Sequence, residues 1–132
     1  MKISFDSLIP VYIQIAEAIE DDIISGKLTE GSAAYSQLIL ARELGVNPAT
    51  AAKGINVLVS KGILDKQRGA SMIVAQDALV RLLDERRANG FDKLVSNLIS
   101  EAKKIGMSED EVMDKIIKQY RQASNLEDKQ YE

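Results

Sequence analysis

The chain has 132 residues, of which 45% are hydrophobic and 28% charged, and its net charge is −3 at neutral pH. This is the composition of a folded globular protein, and the length suits one compact domain with an appendage, too little for a second large ligand-binding domain. The absence of histidine and cysteine removes the commonest zinc ligands, the usual general base and the thiol nucleophile. The sequence also lacks a Gly-rich phosphate loop and a gathered set of carboxylates. We therefore expect no metal site, no cofactor and no enzymatic activity.

Two further features of the composition bear on location and partners. There is no apolar run of about 18 residues, and residues 1–10 lack the pattern of an export signal, so we expect a cytoplasmic protein with no membrane partner. The charge is unevenly distributed: residues 36–75 carry five basic and two acidic residues, whereas residues 76–132 carry 10 basic and 12 acidic ones. A locally basic segment in an acidic protein is compatible with DNA binding.

The first half of the chain predicts three helices. Helical spacing of apolar residues begins at Tyr12 and continues to Ile23, with Pro10 in the first turn and Gly26 as the stop. A loop at 27–34 follows. A shorter helix is expected from Ser36, a plausible N-cap, to Gly45, which suits a left-handed C-terminal cap.

The third helix is the most informative segment. Asn47-Pro48 is a strong helix start, because the asparagine side chain caps free amides and proline loses nothing at the first helical position. Helical spacing over 47–60 predicts a core face formed by Ala51, Ala52, Ile55, Leu58 and Val59 and an outward face formed by Ala49, Thr50, Lys53 and Asn56. Because so little chain separates it from the second helix, the pair predicts a tight helix-turn-helix.

Two short apolar runs then flank a basic tip. Ile63-Leu64 and residues 72–75 favour strands, and the turn-prone residues 66–71 lie between them. This pattern predicts a small β-hairpin of the kind called a wing.

The remainder of the chain is a helical tail. An apolar stripe over 77–105 predicts one long helix, with Gly90 as the place for a kink, and residues 108–111 form a capping box that opens a final helix over 108–122. Residues 1–75 alone are too few to bury this stripe, so we expect the tail to form a homodimer; the alternative is a monomer whose tail folds back on its own domain. The expected dimerisation residues are Leu79, Leu83, Phe91, Leu94, Leu98, Ile105, Ile116 and Tyr120.

The predicted fold is thus mainly α with a small β-hairpin: a winged helix-turn-helix domain at 1–75 and a C-terminal helical dimerisation tail at 76–132. The residues at 10–15, 41–56, 62–64 and 68–69 resemble the DNA-binding domain of the GntR family of bacterial transcription regulators. The tail, with its turn at 101–112, resembles the YtrA-type branch, whose members carry a two-helix dimerisation tail and often sit beside transporter genes. The resemblance implies a dimeric repressor that binds an inverted-repeat operator in double-stranded DNA, for a transporter operon.

The resemblance also implies which residues contact DNA: Ser36, Gln37, Asn47, Ala49, Thr50, Lys53, Arg68 and Gly69. Ser36, Thr50 and Asn47 would donate hydrogen bonds to phosphates, and Lys53 would reach a guanine edge or a phosphate. Ala49, with Ala51 and Gly54, would keep the third helix thin against the major groove, and the wing tip at 68–69 would enter the minor groove. The plain alternatives are that Asn47 is only an N-cap, that the alanines simply favour helix and that the lysine and the basic tip are solvated charges.

Two positions depart from the family pattern. Leu38 stands where many members have an arginine, and Ser71 replaces a glycine of the wing. These departures and the acidic total motivate the alternative of a winged-helix module that binds another protein and no longer binds DNA. A small hydrolase or transferase is a third hypothesis without a candidate carboxylate pair, and no residue cluster indicates a small-molecule effector.

Overall fold

The computed structural model describes residues 1–67 and 72–130, with side chains described as far as residue 127. The chain divides into two compact units, Met1–Arg86 and Arg87–Glu132. The first unit holds four helices and a two-stranded sheet: α1 (Val11–Ile24), α2 (Gln37–Leu44), α3 (Pro48–Ser60), β1 (Leu64–Asp65), β2 (Ile73–Val74) and α4 (Ala78–Glu85). The second unit holds α5 (Phe91–Lys104) and α6 (Glu109–Gln130).

The first three helices begin and end where their sequence signals lie. Helix α2 follows Ser36 and stops at Gly45, whose φ of 65° is left-handed, a conformation that costs glycine little. Asn47 precedes α3, and Pro48 is its first residue. The predicted helices are confirmed, and the two residues between Gly45 and Pro48 make the connection of a tight helix-turn-helix.

Helix α1 lies at the centre of the core of the first unit. Its buried side chains pack with those of α2, α3, the sheet and α4 in one cluster. Burying each large aliphatic side chain contributes about 1.5–3 kcal/mol to the free energy of unfolding. The fully buried large side chains are Ile15, Ile19, Ile23, Leu58, Ile63, Leu64, Val74 and Leu82.

Gly54 sets how closely α3 approaches α1. A Cβ atom at this position would lie 2.9 Å from the backbone oxygen of Tyr12 and 3.0 Å from Cγ2 of Ile15. Real Cβ atoms essentially never lie as close as 2.9 Å to a backbone oxygen, so any larger residue would force the helices apart. The glycine is therefore required by packing, although it lowers the helix propensity of α3.

The wing hairpin is shorter than the apolar runs that predicted it. Strands β1 and β2 are antiparallel, and Leu64 is paired with Val74 and Asp65 with Ile73. The prediction of a plain loop at 27–34 is wrong at its end, because Ala33 forms an antiparallel bridge with Ile73. This segment covers the second edge of β2, which would otherwise leave backbone groups unpaired. The expected contact residues Arg68 and Gly69, and the departure at Ser71, lie outside the described residues.

Helix α4 belongs to the first unit, which therefore extends beyond the predicted boundary at residue 75. Ala78 and Leu82 are buried in its core. The Arg81 guanidinium donates to the backbone oxygens of Lys61, at 2.6 Å, and Gly62, at 2.9 Å, directly after α3 ends. The first turns of the predicted tail thus close the core of the first unit.

Acidic side chains on α1 take part in holding this arrangement. The buried Glu20 lies 3.5 Å from Lys61 Nζ, which also lies 3.3 Å from Glu85. Burial raises the pKa of Glu20, and the charge of Lys61 opposes that rise. Further along α1, Asp22 accepts a hydrogen bond of 2.5 Å from the Tyr35 hydroxyl, which raises the pKa of Tyr35 to about 12. These contacts fix α1 to the segments that flank α2 and α3.

The second unit is a pair of helices joined by a short turn. Gly106 has a left-handed φ of 75°, and the Met107 N–H donates to the Ala102 oxygen at 2.9 Å, as in a glycine-terminated helix end. Ser108 Oγ then accepts a hydrogen bond of 3.2 Å from the Glu111 N–H, which is the serine half of the predicted capping box. A π-helical stretch, Arg86–Gly90, precedes α5 at the position predicted for a kink.

The final helix is longer than predicted. The sequence interpretation ended it at residue 122 because the following residues are polar, whereas α6 continues to Gln130. Polarity does not end a helix when neither proline nor glycine is present, and residues 123–130 contain neither. The 22 residues of α6 correspond to a length of about 33 Å.

We expect Gly54→Ala to lower the free energy of unfolding by about 1–3 kcal/mol, because the added methyl group overpacks the contact with α1. Urea unfolding monitored by circular dichroism measures this change. Asn56→Ala, on the exposed face of the same helix, is the matched control and should stay within about 0.5 kcal/mol of the parent. If Gly54→Ala were as stable as the parent or more stable, helix propensity would outweigh the close approach.

Candidate nucleic-acid interface

The start of α3 is held by Asn47. The Asn47 Oδ1 atom accepts a hydrogen bond of 2.9 Å from the Ala49 N–H, which satisfies one of the free amides at the helix start. The rest of the Asn47 side chain is exposed. Its capping role is therefore part of the structure, and its predicted phosphate contact stays a prediction.

Gln37 joins the two helices of the motif. It is the first residue of α2, and its side-chain Nε2 donates a hydrogen bond of 3.2 Å to the backbone oxygen of Pro48, the first residue of α3. This contact brings the N-terminal ends of both helices to one place on the surface. Ser36 lies beside it as the half-buried N-cap residue of α2, and its side chain makes no capping hydrogen bond within the described part of the chain.

Helix α3 presents a narrow polar face to solvent. Ala49, Lys53, Asn56 and Ser60 are exposed, and Thr50 is half-buried beside them. Residues spaced by three or four lie on one side of a helix. The exposed face therefore runs the length of α3 from its capped start.

The proposed contribution of Ala51 and Gly54 to this face is wrong. Both residues are buried and lie on the side of α3 that packs against α1, so their small size serves helix packing and does not thin the outer surface. Only Ala49 is placed as expected. Asn56, which was predicted to point outward but was not assigned a role, lies on the same face as Lys53, and its spacing of three residues was the signal.

The Lys53 side chain is exposed but not free in solution. Its Nζ atom lies 4.1 Å from the centroid of the Tyr12 ring, in the first turn of α1. This distance is well within the range of a cation–π interaction. The ammonium group therefore has a defined position at the surface between the two helices.

The exposed face of α2 is apolar at the position where an arginine was expected. Leu38 and Ile39 are 65% and 54% exposed, so neither is needed by the core of the first unit. Arg42, in the last turn of α2, is exposed and is the basic residue of this helix. The departure at Leu38 is thus a surface feature that leaves the fold unchanged.

The basic residues of the segment 36–75 have different environments. Lys61, directly after α3, forms ion pairs with Glu20 and Glu85. Arg42, Lys53 and Lys66 are exposed. Among the described residues, the exposed positive charge of this segment therefore comes from Arg42, Lys53 and Lys66.

The predicted dimerisation residues divide between the two units. Leu79 and Leu83 are half-buried in the first unit, where Leu79 packs against the core. The other six lie in the second unit and are exposed: Phe91, Leu94, Leu98, Ile105, Ile116 and Tyr120. In this unit Ala102 is the buried residue among those described, so nearly all of the apolar face is open.

A groove of about 280 Å³ lies between α5 and α6. Its lining is mostly apolar and is formed by Leu98, Glu101, Ala102, Ile105, Met107, Val112, Lys115, Ile116 and Gln119. Large exposed apolar surfaces of this kind mark protein–protein interaction sites or ligand-binding grooves.

Two other kinds of site are absent from the described residues. No group of three or more carboxylates in that part of the chain is arranged to hold a metal ion. Nor does any helix there combine the length and the apolar character needed to cross a bilayer.

The three helices and the hairpin with its additional edge segment make the first unit a winged helix-turn-helix domain. No protein-family model matches the chain. A GntR family transcriptional regulator from Listeria monocytogenes has a similar structure, with a TM-score of 0.72 and 27% identity over 86% of this chain and 98% of that one. YtrA from Sulfolobus acidocaldarius, a GntR-family transcription factor, is 30% identical, with a TM-score of 0.56, over 94% of this chain and 99% of that one.

A third structure is similar to the first unit. It is the DNA-binding domain of AraR in complex with its operator ORX1, which is 29% identical with a TM-score of 0.53, over 57% of this chain and 96% of that one. Together, the three structures resemble this chain in both sequence and structure. The chain belongs to the GntR family of transcriptional regulators.

Asn47→Ala is expected to lower the free energy of unfolding by about 1 kcal/mol, because the first amides of α3 lose their capping acceptor. Asn47→Asp keeps an acceptor at the same place and adds a charge that favours a helix N-terminus, so it should match the parent. Chemical denaturation of the three proteins measures both changes. Equal loss in the two variants would show that the cap is not what Asn47 contributes to stability.

Proposed function

We propose that this chain is a dimeric repressor of the YtrA-type branch, which binds an inverted-repeat operator in double-stranded DNA through α3 and acts in the cytoplasm. The observation that carries the proposal is the exposed polar face of α3, which starts at a capped helix end and is bordered by the ordered Lys53 ammonium. In a helix-turn-helix, the second helix enters the major groove with its N-terminal residues against the bases. Helix α3 has the position and the surface that this docking requires.

The two helix starts supply the contacts that would fix the protein on the DNA backbone. The N-terminal ends of α2 and α3 are held together by Gln37, and free amides at helix starts favour phosphate groups. Ser36 and Thr50 flank this region with hydroxyl groups, which bind phosphates without selecting a sequence. Lys53 and Ala49 are left to face base edges, where lysine suits guanine and a methyl group suits thymine.

The wing is assigned from the sequence alone. Arg68 and Gly69 are proposed to enter the minor groove, where arginine is attracted to narrow A·T-rich segments. Lys66, the exposed basic residue that precedes them, supports this assignment by its charge. Repression would follow because a protein bound over a promoter excludes the polymerase from it.

Dimerisation is proposed to occur through α5 and α6. Their apolar side chains are exposed in a single chain, and water contact with so many aliphatic and aromatic groups is unfavourable. In a two-fold dimer both subunits use the same surface. The apolar stripe of each subunit can therefore pack into the groove of the other, and the contact occurs twice. Two copies of α3 then meet half-sites about one turn of DNA apart, which requires an inverted repeat.

The DNA-binding proposal predicts a defined loss in Lys53→Ala. DNA fragments selected from a random pool by the parent protein provide the ligand. The variant should bind them about 5- to 100-fold more weakly, and the slope of log affinity against log salt should fall by about one if the contact is to a phosphate. Fluorescence anisotropy at several salt concentrations measures both quantities.

Lys93→Ala, an exposed lysine on α5, is the control for a general loss of charge and should bind as the parent does. If the parent enriches no sequence from the pool, or if both lysine variants bind equally well, the protein does not read DNA through α3. The interaction-module alternative would then be the better hypothesis.

The dimer proposal predicts that Leu98→Glu produces monomers. Leu98 lines the groove between α5 and α6, and burying an unpaired carboxylate in an apolar interface costs several kcal/mol. Ser100→Glu places the same charge on the opposite side of α5 and should remain dimeric. Sedimentation velocity at micromolar concentrations distinguishes the two, and a parent protein that sediments as a monomer would refute the proposal.

A further inference from the structure

The function proposed above assigns no role to Tyr12, whose ring centroid lies 4.1 Å from the Lys53 ammonium. We propose that Tyr12 is a positioning residue for DNA recognition: its ring holds the Lys53 ammonium in place on the α3 surface that faces the DNA. This inference rests on the proposed function. It extends the recognition site from α3 to the first turn of α1, which is not a part of the helix-turn-helix.

The backbone that carries the ring is held from two sides. On one side, the Tyr12 backbone oxygen lies against Gly54, the residue next to Lys53, at a distance that allows no Cβ. On the other side, the Gln14 carboxamide ties the preceding segment to α1. Its Nε2 donates to the backbone oxygens of Ser4 and Ile9, and its Oε1 accepts from the Ser4 N–H, each at 2.8 Å.

These contacts make the first turn of α1 a firm base. Tyr12 is half-buried, and the contacts just described fix the backbone from which its ring projects. A ring can position a charged group only if it moves less than that group does. The Tyr12 ring, which we call the platform for the Lys53 ammonium, projects from a backbone that other contacts hold.

Lysine is the side chain for which such a platform matters most. It has a flexible four-carbon stem, and ordering that stem on binding costs more conformational entropy than for most residues. The ring face attracts the ammonium without using its three N–H donors in ordinary hydrogen bonds. The charge is therefore placed in advance while its donors stay available for DNA.

The cation–π contact between Lys53 and Tyr12 adds too little to the stability of the fold for stability to be its main effect. A cation–π contact made by an exposed cation contributes little to stability, and Lys53 is exposed. Its effect on binding is larger in proportion, because a contact that is ordered before binding avoids an entropic loss when the complex forms.

The test is a double-mutant cycle measured with DNA that the parent protein has selected from a random pool. Tyr12→Leu removes the ring face and should weaken binding about two- to fivefold. Tyr12→Phe keeps the face and should bind as the parent does. In the Lys53→Ala background, Tyr12→Leu should cause no further loss.

Three results would overturn the inference. The first is that Tyr12→Leu binds DNA like the parent. The second is that Tyr12→Phe loses as much DNA affinity as Tyr12→Leu, which would assign the effect to the hydroxyl. The third is that Tyr12→Leu still lowers DNA affinity in the Lys53→Ala background. If Tyr12→Leu melts well below the parent, Tyr12→Met provides the same comparison, since it also lacks a π face and fills more of the space.

A second measurement does not depend on DNA. In the NMR spectrum, the ε-methylene protons of Lys53 should be shifted upfield by the ring current in the parent and in Tyr12→Phe, and should move to their ordinary position in Tyr12→Leu. An unshifted signal in the parent protein would contradict the platform directly. If the parent selects no DNA, the proposed function fails and this role with it, whereas a parent that binds DNA beside an unaffected Leu variant refutes only the role of Tyr12.

Discussion

The contact between α1 and α3 at Gly54 is the constraint on which the rest of the first unit depends. Because no side chain separates the two backbones at this point, Ala51, Ile55 and Leu58 can be buried in the common core. The opposite face of α3 is then left to solvent with a fixed orientation. A recognition surface is thus defined by what the other side of the same helix must bury, and the same close approach brings the Tyr12 ring beneath Lys53.

The sequence allowed the fold to be predicted wherever a local signal decides the outcome. Gly45 and the Asn47-Pro48 pair mark helix ends through backbone conformation and missing amides, which do not depend on distant parts of the chain. The edge segment at residues 31–34 could not be found in this way. Its pairing with β2 is decided by an unfilled strand edge about 40 residues away in the sequence, and its small residues show no strand periodicity.

The candidate site was likewise predicted only where the signal lies within one segment of the chain. The outward direction of Lys53 and Asn56 follows from helical spacing within one segment. The role of Gly54 was assigned to the wrong side because a glycine carries no polarity from which to judge its direction. The contact of Lys53 with Tyr12 joins residues on different helices, and spacing within either helix contains no information about it. The wing assignment at residues 68–69 still depends on the sequence alone.

The acidic total of the chain is compatible with DNA binding because the acids of α1 are used at the other end of the α1–α3 contact. Glu20 pairs with Lys61 and Asp21 with Arg86, at 3.5 and 2.7 Å. Lys61 follows Lys53 by eight residues, a helical rise of about 12 Å. The Debye length at physiological salt is about 8 Å, so paired carboxylates at that distance have little effect on the charge at Lys53. The net charge of the whole chain therefore says less about its partner than the separation of these two lysines.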